Sequence, residues 1–135
     1  MTLSSALVVD EIKKHPDGRV DLLGLFEDLY FESIPIILEN LSLFLDIELA
    51  TEDRGKRHAL QFTLIGPDGA PTSDPWNIKF AVPGLSEYPR NAVQLDPTLF
   101  SLTFPRFGPY AIEIHHVESG ALLRRIPLHV HANPE

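Results

Sequence analysis

The chain has 135 residues, the usual size of a single domain, and we therefore treat residues 1–135 as one folding unit. Hydrophobic residues make up 44% and charged residues 22% of the chain, which is typical of a globular protein and excludes a disordered one. The net charge of -8 opposes a phosphate backbone, so we expect no nucleic-acid partner.

The first residues carry no sign of export or membrane insertion. The apolar stretch Ala6–Val9 is short and is followed by Asp10 and Glu11, unlike the apolar core of a signal peptide. No run of about 18 apolar residues is long enough to span a bilayer. The chain has no cysteine, which suits a reducing compartment. We expect a cytoplasmic protein with no membrane partner.

Proline and glycine interrupt the chain so often that strands fit between them better than helices of ordinary length. There are 12 Pro and 8 Gly residues. The intervening segments predict about eight strands. They are Leu3–Ile12, Val20–Leu29, Leu41–Leu49, His58–Ile65, Trp76–Val82, Ala92–Thr103 with a bend at Pro97, Tyr110–Val117 and Leu122–Val130.

The segment Leu41–Leu49 gives the clearest evidence for strands, because every second residue is Leu or Ile. Wound as a helix at about 100° per residue, these side chains would spread around the whole circumference. The same alternation recurs in His58–Ile65, with Leu60, Phe62 and Leu64 on the predicted core side. Gly66–Gly69 reads Gly-Pro-Asp-Gly and predicts a turn at the end of this strand.

The last two strands predict a hairpin in a defined register. Glu118, Ser119 and Gly120 match a three-residue loop with glycine at the left-handed position. The predicted partners are Val117 with Ala121, His115 with Leu123, Glu113 with Arg125, Ile112 with Ile126, Tyr110 with Leu128 and His129 with Pro109. Sheets with one apolar face pack in pairs. The predicted fold is therefore all-β: a single-domain antiparallel two-sheet β-sandwich, immunoglobulin-like or jelly-roll-like.

The sequence contains no standard catalytic or cofactor motif. It has no nucleophile elbow, phosphate-binding loop or dinucleotide fingerprint, so we expect no catalytic residues and no cofactor. Among the six histidines, those on the last two strands are the ones most typical of metal ligands. The predicted register separates His115 from His129 by about 20 Å, and His129 with His131 is an ordinary solvated pair. We therefore expect no metal site.

Two apolar segments are candidates for a binding surface. The segment Phe31–Leu38 lacks clean alternation and contains Ile34, Ile36 and Ile37; the alternative is that it closes one end of the sandwich. Phe104–Tyr110 combines residue types that are enriched at binding hot spots. Its candidate binding residues are Phe104, Arg106 and Phe107. Trp76, Tyr88 and Arg90 would join this surface if their loops lie at the same end of the sandwich. The alternative is a loop that is capped by its own aromatic side chains.

The chain resembles a family of small uncharacterised bacterial β-sandwich proteins. The resemblance lies in Ala6–Asp10, in Asp17–Arg19 before Leu22–Phe26, in Pro35 before the Leu41 strand, in Pro67–Gly69, and in Gly108–Tyr110 with the hairpin to Val130. It implies the sandwich fold and a bacterial, intracellular setting, and it implies no activity.

We expect a non-enzymatic binding or assembly module that contacts a protein partner, or a second copy of itself, through strand edges and apolar loops. The alternative is a small-molecule or carbohydrate-binding domain, or a hydrolase, built from outer-face histidines and carboxylates such as Asp46 and Glu48. That alternative requires a pocket that gathers Trp76, a histidine and a carboxylate.

Overall fold

The computed structural model describes residues 1–84 and 91–134, which form two five-stranded sheets. Its strands are β1 (Thr2–Lys14), β2 (Val20–Leu25), β3 (Asp28–Phe31), β4 (Ile36–Glu48), β5 (Arg57–Ile65), β6 (Trp76–Ala81), β7 (Ala92–Leu95), β8 (Thr98–Phe104), β9 (Gly108–His116) and β10 (Leu122–Ala132). A 3₁₀ turn covers Thr51–Asp53. The prediction of an all-β, two-sheet fold is confirmed, but the described residues form ten strands rather than eight.

The first sheet has the order β2-β1-β4-β7, and β8 also pairs with β4. The second sheet has the order β3-β10-β9-β5-β6. Every pair is antiparallel except β3 and β10, which run parallel. Within the described ranges, no helix has the length and apolar character of a membrane span.

The two additional strands arise where a predicted strand is divided. The predicted strand Val20–Leu29 is interrupted after Leu25, because the chain leaves the first sheet and continues as β3 in the second. The predicted strand Ala92–Thr103 is interrupted at the bend at Pro97, so that β7 and β8 pair with different parts of β4. The carbonyl of Pro97 accepts the N–H of Leu43, which ties this break to β4.

The missing alternation in the Phe31–Leu38 segment has a structural cause. Strand β4 begins at Ile36, five residues before the predicted start, and pairs with β8. In β8 the buried residues Leu99 and Leu102 are three positions apart, because Ser101 has a φ of +60° and reverses which side chains face the core. A search for period-two alternation therefore does not detect the start of β4.

The core forms from the inward faces of both sheets, as the alternation predicts. Leu41, Leu43, Leu45 and Ile47 of β4 are at most 3% exposed, and Leu60, Phe62 and Leu64 of β5 are 0% exposed. On β9 and β10 the buried residues are Tyr110, Ile112, Ile114, Ile126, Leu128 and Val130.

The C-terminal hairpin confirms most of the predicted register. Glu113 lies opposite Arg125, and their side chains form an ion pair with Oε2 and Nη1 2.8 Å apart. Two predicted pairs are wrong, because an irregularity between Leu122 and Arg124 adds one residue to β10. His115 lies opposite Leu122, and the N–H of His116, rather than Val117, donates to the carbonyl of Ala121. Gly120 has a φ of +72°, the left-handed conformation that the loop requires.

Replacing the core residue Phe62 with alanine tests the position of the core. Phe62 is 0% exposed, so we expect Phe62→Ala to lower the free energy of unfolding by about 3–5 kcal/mol. Phe100 is 60% exposed, and we expect the matched change Phe100→Ala to lower it by less than about 1 kcal/mol. Urea unfolding followed by circular dichroism measures both values, and similar losses would contradict this assignment of faces.

Candidate functional site

Two histidines meet at one end of the sandwich, on the inward faces of neighbouring strands. His58 on β5 shares its face with Leu60, and His116 on β9 shares its face with Ile114. The antiparallel pairing sets Leu60 opposite His116, which brings the start of β5 beside the end of β9. At this end of the sandwich the inward positions hold histidines rather than apolar residues. His58 and His116 are therefore buried, at 5% and 7% exposure.

The two imidazole rings are hydrogen-bonded to each other, and their outer nitrogens are also held. Nδ1 of His58 lies 2.9 Å from Nε2 of His116. Nε2 of His58 lies 2.8 Å from the carbonyl oxygen of Asp53, which can only accept, so this nitrogen carries a proton. In neutral His58, Nδ1 then has a free lone pair and accepts the Nε2–H of His116.

Ser119 completes this chain of hydrogen bonds. Its Oγ lies 2.7 Å from Nδ1 of His116. When Nε2 of His116 carries the proton, Nδ1 accepts the Ser119 hydroxyl; with the other tautomer, Nδ1–H donates to the same oxygen. The hydroxyl can therefore serve either tautomer of His116.

Glu118 places a carboxylate beside the pair. Its Oε1 accepts the backbone N–H of Ala59 at 2.9 Å and lies 3.4 Å from Nε2 of His116. The hydrogen bond from Ala59 outweighs burial and lowers the pKa of Glu118, so its carboxylate is ionised at neutral pH. One ligand atom each from His58, His116 and Glu118 lies within 4.8 Å of the other two.

This donor set has the chemistry of a transition-metal site. Imidazole nitrogen and carboxylate oxygen are the usual ligands of Zn²⁺, at about 2.0–2.2 Å from the ion. Donors around a tetrahedral ion of that size are about 3.3 Å apart. The observed separations of 2.9 Å between the histidine nitrogens and 3.4 Å from His116 to Glu118 are close to this value. The partners of the outer ring nitrogens, Asp53 and Ser119, orient the rings as they do in metal sites.

A groove adjoins the histidine pair. It has a volume of about 240 Å³, and both His58 and Glu118 line it. Phe80 forms an apolar wall, with its ring centroid 5.8 Å from that of His58. Arg57 and Lys79 supply two cations to the same groove.

Asp53 fixes the loop that supports His58. Its buried Oδ2 accepts the N–H of Ala50 at 2.8 Å and lies 3.1 Å from the Met1 ammonium. Burial alone would raise the pKa of Asp53, but the hydrogen bond from Ala50 and the positive charge of Met1 outweigh it and lower the pKa. The ionised Asp53 thereby stabilises the turn whose carbonyl orients His58.

The residues predicted to form a binding surface do not gather at this site. Ile37 is 63% exposed, whereas Ile34 and Ile36 are half-buried. Phe104 is fully buried and pairs with Ile36, so it belongs to the core and not to an accessible surface. Trp76 is half-buried, and its Nε1–H donates to the carbonyl of Phe100 at 2.8 Å.

The loop before β9 is held by its own aromatic residue. The hydroxyl of Tyr110 donates to the carbonyl of Arg106 at 2.7 Å and accepts its N–H at 3.2 Å. Arg106 also reaches Asp68 at 3.6 Å, and Phe107 is 36% exposed. Tyr88 and Arg90, the other residues suggested for this surface, lie outside the described residues.

Sequence reasoning missed His58, because it looked for metal ligands only on the last two strands. There His115 and His129 lie opposite Leu122 and Pro109, far apart as predicted. The available signal was alternation: His58 has the spacing of Leu60, and His116 that of Ile114, which places both inside. No local sequence pattern predicts that β5 and β9 are neighbouring strands.

A family model described as a family of unknown function, DUF6941, matches residues 4–131. The chain therefore belongs to this family. The search of curated proteins and the search of solved structures gave no match.

The lowered pKa of Asp53 predicts a change in stability with pH. A carboxyl with a lowered folded-state pKa stabilises the fold above its ordinary pKa of 3.8 and loses that contribution as pH falls through the folded-state value. We expect Asp53→Asn to lower the free energy of unfolding by about 1 kcal/mol at pH 7 and to flatten its decrease below pH 3.8. Urea unfolding across this pH range measures how the free energy of unfolding changes with pH. Glu52→Gln in the same turn is the control for the loss of an acidic charge. If Asp53→Asn leaves this pH dependence unchanged, the lowered pKa of Asp53 is contradicted.

Proposed function

We propose that this member of DUF6941 is a non-enzymatic binding module that takes a divalent transition-metal ion, with Zn²⁺ as the best match, through His58, His116 and Glu118. The observation that carries the proposal is the convergence of three donor atoms within 4.8 Å at one end of the sandwich. The proposal includes the setting expected from the sequence: a bacterial, cytoplasmic protein with an immunoglobulin-like or jelly-roll-like sandwich.

The choice of ion follows from the donor types and their separations. Two neutral imidazoles and one carboxylate favour Zn²⁺, Co²⁺, Ni²⁺ or Cu²⁺ over Mg²⁺ and Ca²⁺, which prefer oxygen ligands alone. Two of the three donor separations, 2.9 and 3.4 Å, suit four-coordinate geometry, and the third is at most 4.8 Å. Three protein ligands leave one position of such an ion for a ligand from outside the protein.

Binding replaces the hydrogen bond between the two rings with bonds from both rings to the ion. The proton on Nε2 of His116 moves to Nδ1, and the Ser119 hydroxyl rotates from donor to acceptor 2.7 Å away. His58 already presents the lone pair of Nδ1, because its other nitrogen donates to Asp53. Both rings then turn so that their lone pairs point at the ion and not along the line between the nitrogens, which separate by a few tenths of an ångström to reach about 3.3 Å.

Titration with Co²⁺ and Zn²⁺ tests this proposal. We expect the protein to bind one Co²⁺, seen as a visible absorption band, and Zn²⁺ to displace it. Zn²⁺ at about 100 times its dissociation constant should stabilise the fold by about 2.7 kcal/mol. His58→Gln, His116→Gln and Glu118→Gln should each weaken binding by at least about tenfold, as loss of a ligand does.

His115→Gln provides the matched control. His115 neighbours His116 in sequence but lies on the opposite face of β9, so we expect this variant to bind Co²⁺ as the wild type does. Glu118 is exposed, so Glu118→Gln reports on metal binding without a core change. Binding that persists in all three ligand variants, or that is lost equally in His115→Gln, would refute the site.

A second candidate function is self-association, favoured by two large apolar side chains on the outer face of the first sheet. Ile37 of β4 and Phe100 of β8 are 63% and 60% exposed. They lie on paired strands, where Phe100 is opposite Asn40 and Ile37 is opposite Thr103. We infer that a second copy of this chain covers the surface formed by Ile37 and Phe100.

Light scattering over a range of protein concentrations tests self-association. We expect an oligomer that dissociates at least about tenfold more readily in Ile37→Asp, because a buried charge without a partner is unfavourable. Asn77→Asp adds the same charge at an exposed position of β6, in the other sheet, and serves as the control. A wild-type protein that stays monomeric at every concentration would exclude this second function.

A further inference from the structure

Strand β1 has an open edge along residues 2–8. Of the strands in the described ranges, only β4 pairs with these residues, because β2 pairs with β1 from Val9 onward. Strand β2 ends at Leu25, and the next residues cross to the second sheet, where β3 begins at Asp28. The position beside residues 2–8, in line with β2, is therefore filled by no strand of the described chain.

The backbone groups on this edge point away from β4. The N–H of Phe26 donates to the carbonyl of Val8 at 3.2 Å, so the backbone of Val8 faces the side of β2. Leu43, opposite Val8 on β4, likewise turns its N–H away from β1 and donates to Pro97. Because this direction alternates along a strand, the N–H and C=O of Ala6 face the same side as those of Val8. Ala6 thus offers a donor and an acceptor to an incoming strand, and Val8 offers a donor.

The nearby edge of β10 is protected against strand pairing, whereas this edge of β1 is not. Strand β3 pairs with β10 only at residues 129–132, and the N–H of His129 donates to Glu27 on that side. Pro127, two residues earlier on the same side, has no N–H to offer. Prolines and charged side chains are the usual means by which an edge avoids other chains, and residues 2–8 contain neither.

The open edge lies in a groove between the two sheets. The groove has a volume of about 610 Å³ and is lined by residues 6–8 of β1, Ile126 of β10, residues 25–28 and Tyr30. The crossover from β2 to β3 closes one end, and toward the start of β1 Nη2 of Arg124 donates to the carbonyl of Leu3 at 2.6 Å. A second copy carries the same walls beside its own β1, which keep the two edges apart. A single extended segment fits between the walls.

We propose that the edge of β1 takes an extended, basic segment of a partner protein, which joins the first sheet as a strand beside residues 2–8. In such strand addition, main-chain hydrogen bonds provide affinity and alternate side chains provide specificity. The site shares no residue with the proposed metal site, so neither proposal depends on the other.

The side chains in the groove determine which segment fits best. Val8 and Ile126 are 3% and 5% exposed and face the core, so we expect apolar residues at alternate positions of the segment. Glu27 and Asp28 are the charged residues among the described residues that line the groove, and the whole chain has a net charge of -8. We therefore expect Lys or Arg at the end of the segment beside the crossover.

Selection from a displayed library of random eight-residue peptides on the immobilised whole protein tests this inference. We expect the enriched peptides to alternate apolar and polar residues and to carry Lys or Arg. Alternate amides of the most enriched peptide are then N-methylated, in two separate sets. One set should weaken binding by at least about tenfold and the other by less than about twofold, because only one edge of an added strand bonds to β1.

Hydrogen exchange measured by NMR locates the bound peptide. The amides of Ala6 and Val8 should exchange at least about tenfold more slowly with the peptide bound. The amides of Leu7 and Val9 face β4 and should keep their rates.

Glu27→Gln should weaken binding of the enriched basic peptide by at least about threefold. Glu39→Gln is the matched control, because it removes the same charge from an exposed position of β4 that does not line the groove. A library that enriches no peptide, equal binding by the two variants, or a bound peptide that leaves the Ala6 and Val8 amides unchanged would overturn the inference. Slower exchange of these amides at higher protein concentration without peptide would assign the edge to a second copy and overturn it as well.

Discussion

The alternation of inward and outward side chains on β5 and β9 is the constraint on which the core and the candidate site both depend. On these strands the even-numbered residues face the opposite sheet, and most of them are fully buried apolar residues. The same alternation continues to the end of the sandwich, where it turns His58 and His116 inward. A shift of either strand by one residue would expose its core residues and separate the two rings. The packing that stabilises the sheet thus also sets the site geometry.

Patterns within a single strand or hairpin were predictable from the sequence. Leu41–Leu49, His58–Ile65 and the hairpin from Tyr110 to Val130 each contain their own evidence, namely alternation, a turn and complementary partners. The order of strands in the sheets was not predictable, because it depends on contacts between residues distant in sequence. The parallel pairing of β3 with β10 joins residues about a hundred positions apart, and no local pattern encodes it.

The same distinction explains which part of the candidate site was missed. Alternation alone places His58 and His116 on inward faces, but only the pairing of β5 with β9 brings them within 2.9 Å of each other. Ile36 and Ile37 are the opposite case: they are adjacent in the sequence and were predicted to form one apolar binding surface. The structure separates them, because Ile36 packs against the core and Ile37 faces outward.

The hydrogen bonds that hold the two histidine rings affect how much rearrangement metal binding requires. Buried polar groups destabilise a fold unless they are hydrogen-bonded, and here all four ring nitrogens have partners. These bonds fix the rings in place before any ligand arrives, which reduces the ordering that binding requires. Ser119 supplies the remaining freedom, because a hydroxyl can donate or accept without moving its oxygen. In the proposed site, metal binding would then require a proton shift, a hydroxyl rotation and a turn of both rings toward the ion.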